Sequence, residues 1–147
     1  MKWIFLTIIT CGLIACEQDK NHKTAYYKGV KKKDIALLTV NEYEDRFYGT
    51  YVVKYQNYGT ESGKIEGEKI GDTLKGRIKY VSYGGNEVVA PFLLLKSNGT
   101  LKLGSGKVSV LLGITFFVPN TIQFNDSVFQ FKKINENIAE SLKNEMN

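Results

Sequence analysis

From Ile35 onward the chain breaks into short apolar segments of two-residue period, each closed by turn chemistry, which limits it to an all-β sandwich or barrel. The cleanest segment is 74–80. Leu74, Gly76, Ile78 and Tyr80 share one face, and Lys75, Arg77 and Lys79 share the other. A strand of this kind belongs to an antiparallel sheet with one dry and one wet side. Upstream, residues 35–43 and 47–55 read as strands separated by Glu44-Asp45-Arg46, with Phe47, Gly49, Tyr51, Val53 and Tyr55 on one face. Residues 63–70 follow, and Gly71-Asp72 makes a tight connection.

Downstream of the basic strand, Gly84-Gly85-Asn86 suits a hairpin, since glycine accepts a positive φ at little cost. Residues 88–96 are apolar on both faces and read as a central strand, with Pro91 marking a bulge or an edge. Ser97-Asn98-Gly99 leads into 100–103. The run from 108 to 118 is nearly all apolar and ends at Pro119; it reads as one strand buried in the sheet. A greasy loop at a barrel mouth, meeting a membrane or a partner, is the other reading. Residues 121–124 and 128–133 form a last predicted hairpin, and 135–146 a short helix with Ile138 and Leu142 on one face.

About eight strands joined by short loops leave open edges unless the sheet closes, so an antiparallel up-and-down barrel is the expected fold, with a β-sandwich as the alternative. Tyr51, Tyr55 and Tyr80 fall on inward faces. They either fill the interior or line a cavity for a small apolar ligand, because a barrel of this size does one or the other.

The N-terminus is of another character. Trp3 to Ala15 is almost wholly apolar and follows a single Lys2. It is too short to span a bilayer, which takes about 20 residues, and suits a secretory signal. Its end, Leu13-Ile14-Ala15-Cys16, resembles the lipobox of bacterial lipoproteins. The resemblance implies cleavage between Ala15 and Cys16, acylation of Cys16 (palmitate among the chains), and anchorage in the cell envelope. Glu17 in place of Asp favours the outer membrane, on a face left open. Glu17, Asp19 and Lys20 are loosely similar to the charged tether of some Bacteroidota surface lipoproteins. The expected organisation is a signal peptide at 1–15, a lipidated flexible tether at 16–33, a barrel at 34–134 and a helical tail at 135–147.

The formal charge is +5, and much of the excess sits at Lys20, Lys23, Lys28 and Lys31-Lys32-Lys33. An exported chain rarely meets nucleic acid, so none is expected as partner. The lysines either lie against anionic head groups beside the anchor or belong to a solvated tether.

Catalysis has little material. The single histidine, His22, falls in the expected tether, and the only other cysteine, Cys11, falls in the signal segment. Serine or cysteine triads, zinc clusters and disulfides are therefore not expected. Gly104-Ser105-Gly106-Lys107 lacks the upstream glycine and following hydroxyl of a phosphate loop. Paired acids such as Glu42 and Glu66 would have to converge on a cleft to serve a hydrolase. No cofactor, no metal and no enzymatic activity are expected.

The segments "KIEGEKIGDTLKGRIKYVSYG" and "VVAPFLLLKSNGTLKLGSG" resemble the small β-rich, lipocalin-like lipoproteins of Bacteroidota. Gly49-Thr50-Tyr51 is faintly similar to the Gly-x-Trp of lipocalins, with tyrosine in place of tryptophan. The resemblance implies an envelope-tethered, non-enzymatic barrel that binds a small apolar ligand or, with a filled interior, another envelope protein. In that lineage Asp72-Thr73-Leu74 and Asp126-Ser127-Val128 match an O-glycosylation pattern, which would make Thr73 and Ser127 acceptors. Plain turn chemistry explains the same residues.

Overall fold

The computed structural model describes residues 22–82, 84–125 and 128–146. The signal segment with Ala15 and Cys16 lies outside the described residues, and so does Ser127. Eight strands form a closed antiparallel barrel: β1 (Lys23–Lys31), β2 (Asp34–Glu42), β3 (Arg46–Tyr55), β4 (Gly59–Ile70), β5 (Thr73–Val81), β6 (Glu87–Ser97), β7 (Thr100–Leu103) and β10 (Gln130–Ile134). They pair in chain order, and β10 closes the ring between β7 and β1. A separate two-stranded hairpin, β8 (Val108–Leu111) with β9 (Ile114–Phe117), is inserted between β7 and β10. The helix α1 (Glu136–Met146) ends the chain.

The barrel thus begins eleven residues earlier than the sequence reading places it. Lys23–Lys31, expected as tether, pairs with β2 along its whole length and with β10. Ala25, Tyr27 and Gly29 are buried at period two, an alternation that the surrounding lysines obscure. The lysine cluster is redistributed accordingly. Lys31-Lys32-Lys33 makes the β1–β2 turn, with Lys32 at φ 57°, and sits a full strand away from the chain's entry. Nine residues of strand span about 26 Å at roughly 3.3 Å each.

The interior is the face predicted for β3 and β5. Phe47 and Val53, and Leu74 and Ile78, are buried, while Lys75, Arg77 and Lys79 are exposed. Outward positions of β4 alternate with these as Lys64, Glu66 and Glu68, all exposed. An apolar inside and a charged outside is the polarity of a barrel bathed in water, the reverse of one embedded in hydrocarbon. Gly67 and Gly76 face each other across β4 and β5, and a Cβ on Gly67 would lie 2.2 Å from the Lys75 carbonyl oxygen. Bare backbone at this pair lets the two strands approach closely enough to bend round the barrel.

Two apolar segments depart from expectation. Residues 108–118 do not form a buried strand. They fold back at Leu112-Gly113, both in the left-handed region (φ 50° and 79°), into a hairpin whose Leu111, Leu112 and Ile114 are 64%, 93% and 67% exposed. Two successive positive-φ residues are the turn that matches strand twist in a two-residue hairpin. Of the predicted hairpin of 121–124 with 128–133, the second strand forms as β10, paired with β7 and β1, whereas 121–124 forms no strand. Pro119–Thr121 makes a 3-10 turn, and Gln123 forms a single bridge with Ser105. Pro91 marks an edge without a bulge: the β5–β6 register runs unbroken through Arg77↔Pro91, whereas β7 pairs with β6 only from Leu94 on.

Helix α1 starts at an Asn135 cap, whose Oδ1 accepts the Ile138 amide at 2.9 Å. Its buried residues are Ala139, Leu142 and Met146, of which Ala139 and Met146 pack with Leu37, Tyr26 and Val52; Ile138 points outward instead of sharing the face of Leu142. Tyr26 donates to Glu136 at 2.8 Å, and Thr60 donates to the Met146 carbonyl at 2.7 Å.

Candidate functional site

The two ends of the barrel are finished differently. At the end where the chain enters, the connections are tight: residues 43–45, 71–72 and 98–99. There Val40, Phe47, Leu74, Leu94 and Leu101 are at most 2% exposed. Glu42 points into this end, 14% exposed, and its Oε2 meets Lys96 Nζ at 2.5 Å and Lys69 Nζ at 3.4 Å. A carboxylate shared by two ammoniums plugs the barrel floor with every charge paired.

At the opposite end lies a cavity of about 220 Å³. Strand β3 supplies Tyr51, Val53 and Tyr55, β5 supplies Ile78 and Tyr80, and β6 supplies Ala90 and Phe92. Gly63 on β4 makes the space. It stands opposite Tyr51 on one side and Tyr80 on the other, so no side chain separates the two tyrosines. A Cβ there would lie 2.8 Å from the Ile78 side chain. The Tyr51 ring packs on Phe92 at 5.5 Å and edge-on to Phe131 at 6.1 Å.

The three predicted tyrosines therefore converge on one cavity. Burial, with the Tyr55 and Glu61 charges adding, holds the Tyr51 phenol well above its ordinary range. Burial also raises Tyr55, reinforced by the charge of Glu61 and by a hydrogen bond to that carboxylate. Both phenols are neutral hydrogen-bond donors across the physiological range. Glu61 completes the lining and stands where the cavity opens onto an outer basin formed by Tyr55, Asn57, Tyr58, Thr60, Val81 and Ser82.

Glu61 and Gly63 are absent from the sequence-level site. The signal was present: both share the inward parity of Ile65, two and four residues away. Their partners across the sheet follow only from the register.

The other predicted positions do not join this site. Thr73 is the first residue of β5, paired with Ile70 and half-buried, where a turn was expected. The acids Glu42 and Glu66 lie far apart in role: the first is tied in the floor, and the second pairs with Arg77 on the outer surface at 3.3 Å. His22 is exposed and packs beside the Tyr43 and Tyr48 rings at 5.5 and 6.1 Å. Among the described residues, no three His, Cys, Asp or Glu side chains gather in a way that could hold a metal.

The fold and site define a class: a water-facing eight-stranded up-and-down barrel, plugged at one end and carrying a tyrosine-lined cavity at the other. No protein-family model, curated protein or solved structure matches the chain.

Proposed function

We propose that this protein is a cell-envelope lipoprotein whose barrel holds a small, largely apolar ligand and releases it chemically unchanged. The observation that carries the ligand reading is the cavity between Tyr51, Gly63 and Tyr80. Its volume of about 220 Å³ exceeds the roughly 150 Å³ that suffices for benzene in an engineered apolar cavity. The lining is hydrophobic with a few convergent polar groups, as small-molecule sites are. The anchoring reading rests on the Leu13-Ile14-Ala15-Cys16 motif. Cys16 lies six residues before His22 in the sequence, and β1, the first strand, starts at the plugged end. Outer-membrane attachment fits Glu17.

Two experiments test the two halves. Alkyne-palmitate labelling in the producing cell should mark the wild type, and Cys16→Ala should be unlabelled and shed from the membrane fraction; equal labelling of both overturns the anchor. Native mass spectrometry of the full chain, released gently from the same cells, should show an extra mass that leaves on denaturation. A folded chain carrying no more than its own lipids overturns the ligand reading.

A second reading rests on the β8–β9 hairpin. Its exposed Val110, Leu111, Leu112 and Ile114 make an apolar strip of the kind that marks protein contacts. Here the barrel would be a scaffold and the hairpin its contact with an envelope protein. Crosslinking from position 112 in intact envelopes should then yield one discrete adduct; failure to do so removes this reading.

A further inference from the structure

The cavity's electrostatics go further than its shape. Every lining residue is apolar, aromatic or uncharged except Glu61. Among the described residues no lysine or arginine comes within 4 Å of its carboxylate. Beside it stands the Tyr55 phenol, a neutral group whose pKa the carboxylate raises. The Asp34 charge also acts on Tyr55, so a second acid stands at the same mouth. Asp34 itself accepts the Gln56 amide at 3.0 Å. The lysines of the β1–β2 turn share this end, and among the described residues none is ion-paired with either acid.

Around the single carboxylate stand the rings of Tyr51, Tyr55, Tyr80 and Phe92. Aromatic faces carry partial negative charge and attract ammonium groups, the more strongly the more the pair is desolvated. An anionic guest, a fatty acid for example, would bring its head against Glu61, and a like-charge contact of that kind is unfavourable. A neutral guest would leave the Glu61 charge unpaired at the edge of an apolar space.

We propose that the cavity is a receptor for a small organic ammonium: a compact apolar or aromatic body enters between Tyr51 and Tyr80, and its cationic nitrogen sits between Glu61 and the tyrosine faces. The inference rests on the ligand reading of the cavity and names the class of ligand. Glu61 sets charge preference, and the rings and Gly63 set size.

The test is calorimetric titration of the full chain in phosphatidylcholine nanodiscs at neutral pH with three near-isosteric probes: 2-phenylethylammonium, 2-phenylethanol and 3-phenylpropionate. The ammonium should bind at least about tenfold more tightly than the alcohol, and the carboxylate most weakly. Glu61→Gln, checked for fold by its amide spectrum, should bring ammonium and alcohol to within about threefold while leaving the alcohol's affinity unchanged. An ammonium no tighter than the alcohol in the wild type overturns the cation assignment and leaves the ligand cavity standing. A preference that survives in Glu61→Gln overturns the role of Glu61. Binding of none of the three defeats the ligand reading and this inference with it. The wild-type comparison stands even where the variant does not fold.

Discussion

The same strands build a sealed end and an open end, and the contrast comes from side-chain size along each strand. On β3, Phe47 fills the sealed end at 2% exposure, whereas Tyr51 and Tyr55, four and eight residues on, border the cavity. On β4, Ile65 is buried in the packed interior, and Gly63 leaves the space that the tyrosines flank. On β6, Leu94 packs and Ala90 lines the void. A ring of eight strands encloses just enough room to be filled or to admit one small guest. This barrel is filled at one end and leaves a cavity at the other. The connections follow the same division: the sealed end has turns of two or three residues, and the open end carries the long insertion with β8–β9. Close packing is concentrated at one end, and the open space lies at the other.

That division should show in mutations. The largest loss is expected from Phe47→Ala, about 3–5 kcal/mol in denaturant unfolding, because a close-packed end cannot collapse around the void. Tyr51→Phe, which keeps the ring, should cost less than a third as much; equal costs would erase the distinction. Next is Glu42→Gln, which strands Lys69 and Lys96 beside an apolar floor. A partly exposed site of this kind should lose about 1–2 kcal/mol, readable as a lowered denaturation midpoint. Glu66→Gln, on the outer surface, should change stability by under about 0.5 kcal/mol.

Ala90→Leu fills the cavity and should leave stability within about 1 kcal/mol of wild type while abolishing binding of an apolar probe. Retained binding would place the site elsewhere.

The smallest effect is alkaline. Phenols raised in the folded barrel stay protonated where the unfolded chain, with its phenols near 10, gives up protons. Their stabilisation is complete below about pH 10 and is lost as pH climbs toward the folded values. The melting temperature of Tyr51→Phe should accordingly fall less than that of wild type between about pH 9 and 11. Parallel declines would detach Tyr51 from the buried site.

How far the sequence revealed all this depended on local pattern. Strands β3 and β5 were legible, faces included, because apolar and cationic residues alternate without interruption from Leu74 to Tyr80. Strand β1 was not, because its buried positions are Ala25, Tyr27 and Gly29, two of them small, set among lysines. The hairpin at 108–118 was misread because an apolar run carries no mark of its turn beyond Gly113, and Leu112 adopts a conformation rare for leucine. In α1 the apolar spacing of Ile138 and Leu142 misled, since the packed face is set by Ala139, Leu142 and Met146. Of the site, the tyrosines were visible as inward positions. Glu61 and Gly63 were not, because their place opposite Val53 and Tyr51 depends on the register between β3 and β4, which no local motif encodes.

The most direct test of the two-ended account is methyl NMR of the full chain in nanodiscs, titrated with 2-phenylethanol, whose neutrality makes the outcome independent of the charge of Glu61. The account predicts saturable shifts at Val53, Ile78, Ala90 and Leu103 and none at Val40, Ile65, Leu74 or Leu94. Shifts confined to the β8–β9 hairpin, or spread evenly over both ends, would contradict it.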